Sequence, residues 1–215
     1  MPAPLTRLHA IALPMPRDNI DTDELIPVFE NTRTVQDSGW GDGLFAGERY
    51  LDGVGHTANP SFILNQAPYN RACIVVAGAN FGCGSSRESA AWALRDYGFR
   101  VVLAASFNET FKRNAVGNGL APLIVHPQDL KALLVGIYED PQRGLTVDLL
   151  SGTILVGESD SDGSTFPFAL DAYECALLTT GRTEDDMLEE VQAAVDARRD
   201  TLLLQAPWLS GIVPS

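Results

Sequence analysis

The chain has 215 residues, 45% of them hydrophobic and 20% charged, which is enough to bury one full core and short for two. Its 28 acidic residues outnumber 15 basic ones, giving a formal net charge of −13, and no Lys/Arg cluster is set to neutralise a row of phosphates; nucleic acid and anionic membranes are therefore poor partners. No apolar run approaches the roughly 18 residues of a bilayer span, and Met1 to Arg17 holds prolines where a charged-then-apolar leader would stand, so a cytoplasmic location is expected.

From Leu5 to about Pro68 the sequence is irregular, with short apolar runs broken by Pro, Gly and Asp, as at Asp18-Asn19-Ile20-Asp21-Thr22-Asp23. This pattern predicts loops that present residues outward. From Cys73 the grammar turns regular: an apolar run to Ala77, a glycine-rich turn, a helix over Arg87 to Tyr97 stopped by Gly98, then a strand over Val101 to Ala105. A second helix over about Glu109 to Val116 and a strand over Ala121 to Val125 complete an α/β core. Beyond it the spacing predicts a helix over about Gln128 to Tyr138, a hairpin of Leu145–Leu150 and Thr153–Gly157, and a helix from about Asp171. The hairpin implies a mixed sheet. Thr183 caps a final amphipathic helix to Leu204, read either as a surface helix folded onto the core or as a partner-binding face.

The chemically loaded stretch is Gly78 to Glu88, between a buried strand and a helix start. Glycines at 78, 82 and 84 let the backbone turn and approach a ligand, and the free N–H groups of a helix start favour an anion. Arg87 can grip a carboxylate with paired, charge-assisted hydrogen bonds, while the loop lacks the Lys of a phosphate-binding Walker motif and the dinucleotide spacing. A small dicarboxylate is thus preferred to phosphate. Ser85-Ser86-Arg87-Glu88 also satisfies a capping box, with Ser85 bonding the helix start and Glu88 reaching back; Ser86 is the alternative cap. Cys83, near a helix start, is a candidate nucleophile that needs one of the three histidines brought to it by folding. The three cysteines, Cys73, Cys83 and Cys175, fit neither a disulfide framework nor a paired zinc site.

Asn80-Phe81-Gly82-Cys83-Gly84-Ser85-Ser86-Arg87-Glu88 closely resembles the signature of the small subunits of 3-isopropylmalate dehydratase, a family that shares its swivel domain with aconitase. Asp18 to Pro27, Asn59 to Asn65 and Trp92 to Arg100 extend the resemblance over about residues 8 to 180. It implies an α/β fold: an aconitase-type swivel domain over residues 1–182, with a mixed, barrel-like sheet flanked by helices. Residues 183–215 are expected to form a helical extension packed on the same domain. It implies hydro-lyase activity in leucine biosynthesis, on a small dicarboxylate, in complex with a large subunit that carries a four-iron, four-sulfur cluster; no metal or cofactor is expected on this chain.

Carried over residue by residue, the resemblance makes Ser85 the base that removes the proton next to a carboxylate. Gly84, Ser86 and Arg87 hold substrate, and Asn80 and Glu88 keep the loop in shape. Asp21, Thr22 and Asp23 match a second motif, expected to orient the Arg87 region or the closed interface; a calcium loop at Asp18 lacks its Gly and Glu, since Asp23 and Phe29 stand there. The pattern departs from the family at Val28-Phe29-Glu30-Asn31 and at Ser89, where relatives carry His. A substrate pocket lined by Leu25, Ile26, Val28 and Phe29 would suit an isopropyl group, and Glu30 would not. A related hydro-lyase for citraconate, homoaconitate or a methylated malate is one alternative. A stand-alone carboxylate-binding domain and a thiol hydrolase built on Cys83 are the others. Residues 28–58 are expected to be the moving part.

Overall fold

The proline-broken start holds two strands, β1 (Arg7–Ala10) and β2 (Ala12–Met15), in the computed structural model, which describes residues 2–30, 39–52, 56–158, 165–206 and 208. Pro14 has no N–H to give a neighbour, so β2 is tolerated only at a sheet edge, and there it lies. The order β2-β3-β4-β5 is parallel throughout, with β3 (Ile74–Ala77) and β4 (Val101–Ala104) inside and β5 (Ala121–Ile124), which carries Pro122, at the other edge. Every residue of β3 and β4 is buried, as expected of strands covered on both faces.

Parallel and antiparallel strands, expected together in one barrel-like sheet, separate into two. The hairpin β6 (Leu145–Asp148) and β7 (Thr153–Val156) pairs antiparallel with β1 on one side and β8 (Thr165–Pro167) on the other. The division follows from the connections: a tight turn can join only antiparallel neighbours, whereas parallel neighbours need crossovers long enough for a helix. Ile11 alone separates β1 from β2, so the chain changes sheets there within one residue.

Two four-residue helices, α1 (Thr22–Leu25) and α2 (Ala46–Arg49), precede the core. The crossovers are α3 (Ser89–Tyr97), ended by Gly98 in the left-handed region, and α4 (Glu109–Gly117), capped by the Asn108 side chain. Then come α5 (Pro127–Glu139), α6 (Ala172–Thr180) with an Asp171–Glu174 capping box, and α7 (Glu184–Gln205), capped by Thr183 with Asp186. Met187 packs on the core and Arg113 Nη2 donates to Glu184 Oε2 at 3.2 Å; further along, Leu188, Val191, Val195 and Leu202 are exposed. Of the segment 28–58, residues 31–38 and 53–55 lie outside the described residues.

The core is continuous from Leu13 through Val75, Val102 and Leu123 to Leu133 and Leu178. Leu103 is fully buried in β4, so Leu103→Ala should cost about 2–5 kcal/mol of unfolding free energy, read as a fall in the urea midpoint with unchanged slope.

Candidate active site

The loop after β3 is held from below by the segment after β2. Gly78 N–H donates to Arg17 O (2.9 Å), Asn19 N–H to Ala79 O (2.8 Å), Gly82 N–H to Ile20 O (2.7 Å) and Thr22 N–H to Cys83 O (2.8 Å). Asp18 Oδ1 accepts from Ala79 N–H at 2.6 Å. The two motifs picked out separately in the sequence are thus one stitched structure. Gly82 is required in it: its φ is +72°, and a Cβ there would stand 2.2 Å from the Phe111 ring. At Gly84, φ is +95° and a Cβ would meet Thr22 Oγ1 at 3.2 Å.

Each residue assigned to the site has a place in this structure. Asp21 caps α1, its Oδ1 accepting from the N–H groups of Asp23 (2.7 Å) and Glu24 (2.9 Å). Thr22, fully buried, takes the Ser85 N–H on its Oγ1 at 2.9 Å, which fixes the backbone under the Ser85 hydroxyl. Asp23 pairs with Arg87 Nη2. Arg87 Nε is buried and has no acceptor among the described residues, so the guanidinium holds a donor in reserve. Gly84 and Ser86 are exposed and Ser85 and Arg87 half-buried.

A second set of contacts holds the loop from the α4 side, and the sequence reading missed it. Ser106 Oγ accepts from Asn80 N–H at 2.8 Å, Asn114 Nδ2 donates to Ser86 O at 3.3 Å, and Asn118 Nδ2 donates to Glu88 Oε1 at 2.6 Å. Asn80, itself in the left-handed region (φ +57°), also donates through Nδ2 to Asn19 Oδ1 at 2.8 Å. The available signal was Asn114 and Asn118, one turn apart on a single helix face.

Four expectations are corrected. The capping box does not form: α3 begins at Ser89, after Glu88, and no side chain caps it, because the Ser85 backbone is tied to Thr22 and the Glu88 carboxylate to Asn118. The predicted helix start at Arg87 thus moves to Ser89. Leu25 and Ile26 are fully buried in the core, leaving Val28 (66% exposed) and Phe29 (46%) as the apolar surface there. Glu30 points inward, 7% exposed and 2.9 Å from His56 Nε2, so it does not oppose an apolar ligand at Val28 and Phe29.

Cys83 is the fourth. Desolvation pushes its thiol up, the Asp21 and Glu24 carboxylates push further, and its own backbone N–H opposes them only in part. The histidines are elsewhere: His9 on Thr146, His56 on Glu30, and His126 capping α5. Without a base or positive neighbour the thiol is a poor nucleophile, and the hydrolase alternative falls. Ser89 is 3% exposed with its hydroxyl unpartnered among the described residues, so it serves packing behind the loop.

Comparison with known proteins places the chain in a family. The aconitase C-terminal domain family matches residues 3–128. The 3-isopropylmalate dehydratase small subunit of Cereibacter sphaeroides is 41% identical over 95% of this chain and 98% of its own length. The chain belongs to this family. The small subunit of Agrobacterium fabrum is 40% identical over 94% of this chain and 98% of its own. The crystal structure of a family member, LeuD of Methanocaldococcus jannaschii, superposes with a TM-score of 0.60 at 25% identity, covering 89% of this chain and 99% of that one.

Thr22→Val keeps the shape of the side chain and removes the acceptor for Ser85 N–H. The expected cost is about 1–3 kcal/mol of stability, read by urea denaturation, with faster exchange of the Ser85 amide than in the native chain.

Proposed function

We propose that the chain is the small subunit of a 3-isopropylmalate dehydratase, a hydro-lyase that interconverts 2-isopropylmalate and 3-isopropylmalate by removing and re-adding water in leucine biosynthesis. The observation that carries this reading is the near-complete coverage, in both directions, by small subunits of that name. The loop supports it: an exposed cradle bearing a hydroxyl and a half-committed guanidinium suits one end of a dicarboxylate.

Ser85 is the base in this reading. A free serine hydroxyl is far too weak an acid to ionise near neutral pH, so its alkoxide must be stabilised in place. Arg87 supplies positive charge two residues away. The amides of Gly84 and Ser86, which have no acceptor among the described residues, supply dipoles. With Thr22 fixing the Ser85 backbone, the hydroxyl has less freedom to lose when substrate binds. The C–H proton passes to Ser85 Oγ in dehydration and returns from it in hydration. Arg87 holds a substrate carboxylate through the part of its fork turned from Asp23, and Ser86 adds a hydroxyl donor.

The leaving hydroxide needs a Lewis acid, and this chain's residues do not fit one. Cys73, Cys83 and Cys175 are free and apart, and among the described residues no three His, Cys, Asp or Glu side chains gather as ligands. An iron-sulfur cluster is therefore assigned to a large partner subunit, whose surface closes the exposed loop. Residues 1–182 are taken as the swivel domain and 183–215 as its extension. A reducing cytoplasm suits three unpaired thiols, and no described helix is long and apolar enough to cross a membrane. Val28 and Phe29 favour a substrate with a branched apolar group over citraconate.

The test is co-expression with a cluster-bearing large subunit and anaerobic assay on 2- and 3-isopropylmalate, citraconate and homoaconitate. Isopropylmalate is the expected substrate. Ser85→Ala should lower kcat by at least about 100-fold with the circular dichroism spectrum unchanged; activity near the native level removes Ser85 from the base role. Arg87→Lys, which keeps the charge and loses the fork, should raise KM about tenfold or more, measured by initial rates.

A further inference from the structure

Behind the loop lies a charged group that the mechanism above does not use. Arg17, following β2, directs one nitrogen, Nη2, at two carboxylates: Glu24 Oε1 on α1 and Glu48 Oε1 on α2, the latter at 3.1 Å. Both carboxylates thus crowd a single guanidinium nitrogen, from two different helices. Two carboxylates in that arrangement repel unless they share a proton, and a single guanidinium offsets only one negative charge. α1 and α2 are four residues long, too short to hold themselves by their own ladders. What joins them is the buried contact of Leu25 with Phe45, the Phe45 N–H to Leu25 O bond (2.9 Å), and this charged group.

We propose that Arg17, Glu24 and Glu48 form a proton-dependent brace that sets α1 against α2, making Glu24 a positioning residue for Ser85 and Arg87. The route is short. Glu24 directly follows Asp23, the partner of Arg87, and lies two residues after Thr22, the anchor of Ser85. With the proton in place the group is neutral: one shared negative charge against Arg17. When it leaves, the group carries one net negative charge beside Asp21 and Asp23, the carboxylates pull apart, and α1 shifts under the loop. That state is a worse receptor for a dianionic substrate.

The charged groups facing Glu24 are Arg17 from the segment after β2, Glu48 from α2, and Asp21 from its own helix cap; its field also reaches Cys83 on the loop. Burial is the largest influence and raises the Glu24 carboxyl from 4.5 to about 7, Glu48 and Asp21 adding to it while Arg17 opposes. The proton therefore leaves within the physiological range. The sign for stability follows: folded Glu24 holds its proton more tightly than unfolded Glu24. Its contribution is fully present below pH 4.5 and is lost as pH rises through about 7.

The inference rests on the dehydratase reading only for its kinetic arm. On the full-length chain alone, NMR should show the Glu24 carboxyl carbon titrating near pH 7 and the Ser85 amide shifting with the same midpoint. In Glu24→Gln the amide shift should be flat across that range. In Glu48→Gln the Glu24 midpoint should fall toward 4.5. A native Glu24 midpoint near 4.5, or a Ser85 amide that ignores pH or titrates equally in Glu24→Gln, overturns the brace whatever the chain catalyses. In the two-subunit enzyme, KM for the dicarboxylate should rise about threefold between pH 6 and 8, the size of one added charge near a partly exposed anion site. In Glu24→Gln, KM should stay level while kcat keeps the native pH profile. Native KM that does not move, or a Glu24→Gln profile that matches the native one, overturns its functional role.

Discussion

Hydrogen bonds between residues 17–22 and residues 78–85 join two stretches of backbone that are about sixty positions apart and share no regular secondary structure. Everything placed at the site depends on that seam. It continues, in looser form, the parallel pairing of β2 with β3, so the sheet's own register decides which carbonyl meets which amide. Once Met15 lies opposite Ala77, Thr22 has to fall near Ser85 and Asp23 near Arg87. The active loop is in this sense an extension of the sheet into irregular backbone. Backbone bonds do the placing, while the chemistry rests on a few side chains. The helix start that a glycine-rich loop suggests contributes less than expected: α3 begins four residues after Ser85 and its first turn is packed into the core.

The charges divide along the same seam. Asp21 spends its carboxylate on the α1 cap and Glu88 on Asn118, so neither opposes an anion at the mouth directly. Among the described residues Asp23 alone forms an ion pair with Arg87, through Nη2. A guanidinium held this way is oriented without being used up, because Nε still lacks an acceptor.

How much of this was legible follows from what each signal is made of. The strand-loop-helix core was readable because its runs of Val, Ile and Leu are buried on both faces and its helices have ordinary stops. Ser85 and Arg87 were picked out by one contiguous motif and Asp21 and Asp23 by another. β1 and β2 were hidden because Pro14 is compatible with a strand only at an edge, and edge position is a tertiary fact. The burial of Leu25 and Ile26 was hidden because a single helical turn has no period to read. Glu30 looked like a misplaced charge until His56, more than twenty residues on, was seen beside it. The capping pattern at Ser85 to Glu88 was a true local match defeated by stronger long-range partners in Thr22 and Asn118. Arg17, Glu24 and Glu48 come from three separate elements and had no signature at all.

The two prolines at the rims of the parallel sheet have a meaning beyond the fold. A strand edge ordinarily offers a row of amides and carbonyls to any extended chain that passes. Pro14 on one rim and Pro122 on the other each withdraw an amide from that row, and Ile124 is already bonded to Ala169. A molecule built in this way, with hydrophobic strands at its centre, keeps its sheet from growing into that of a neighbour.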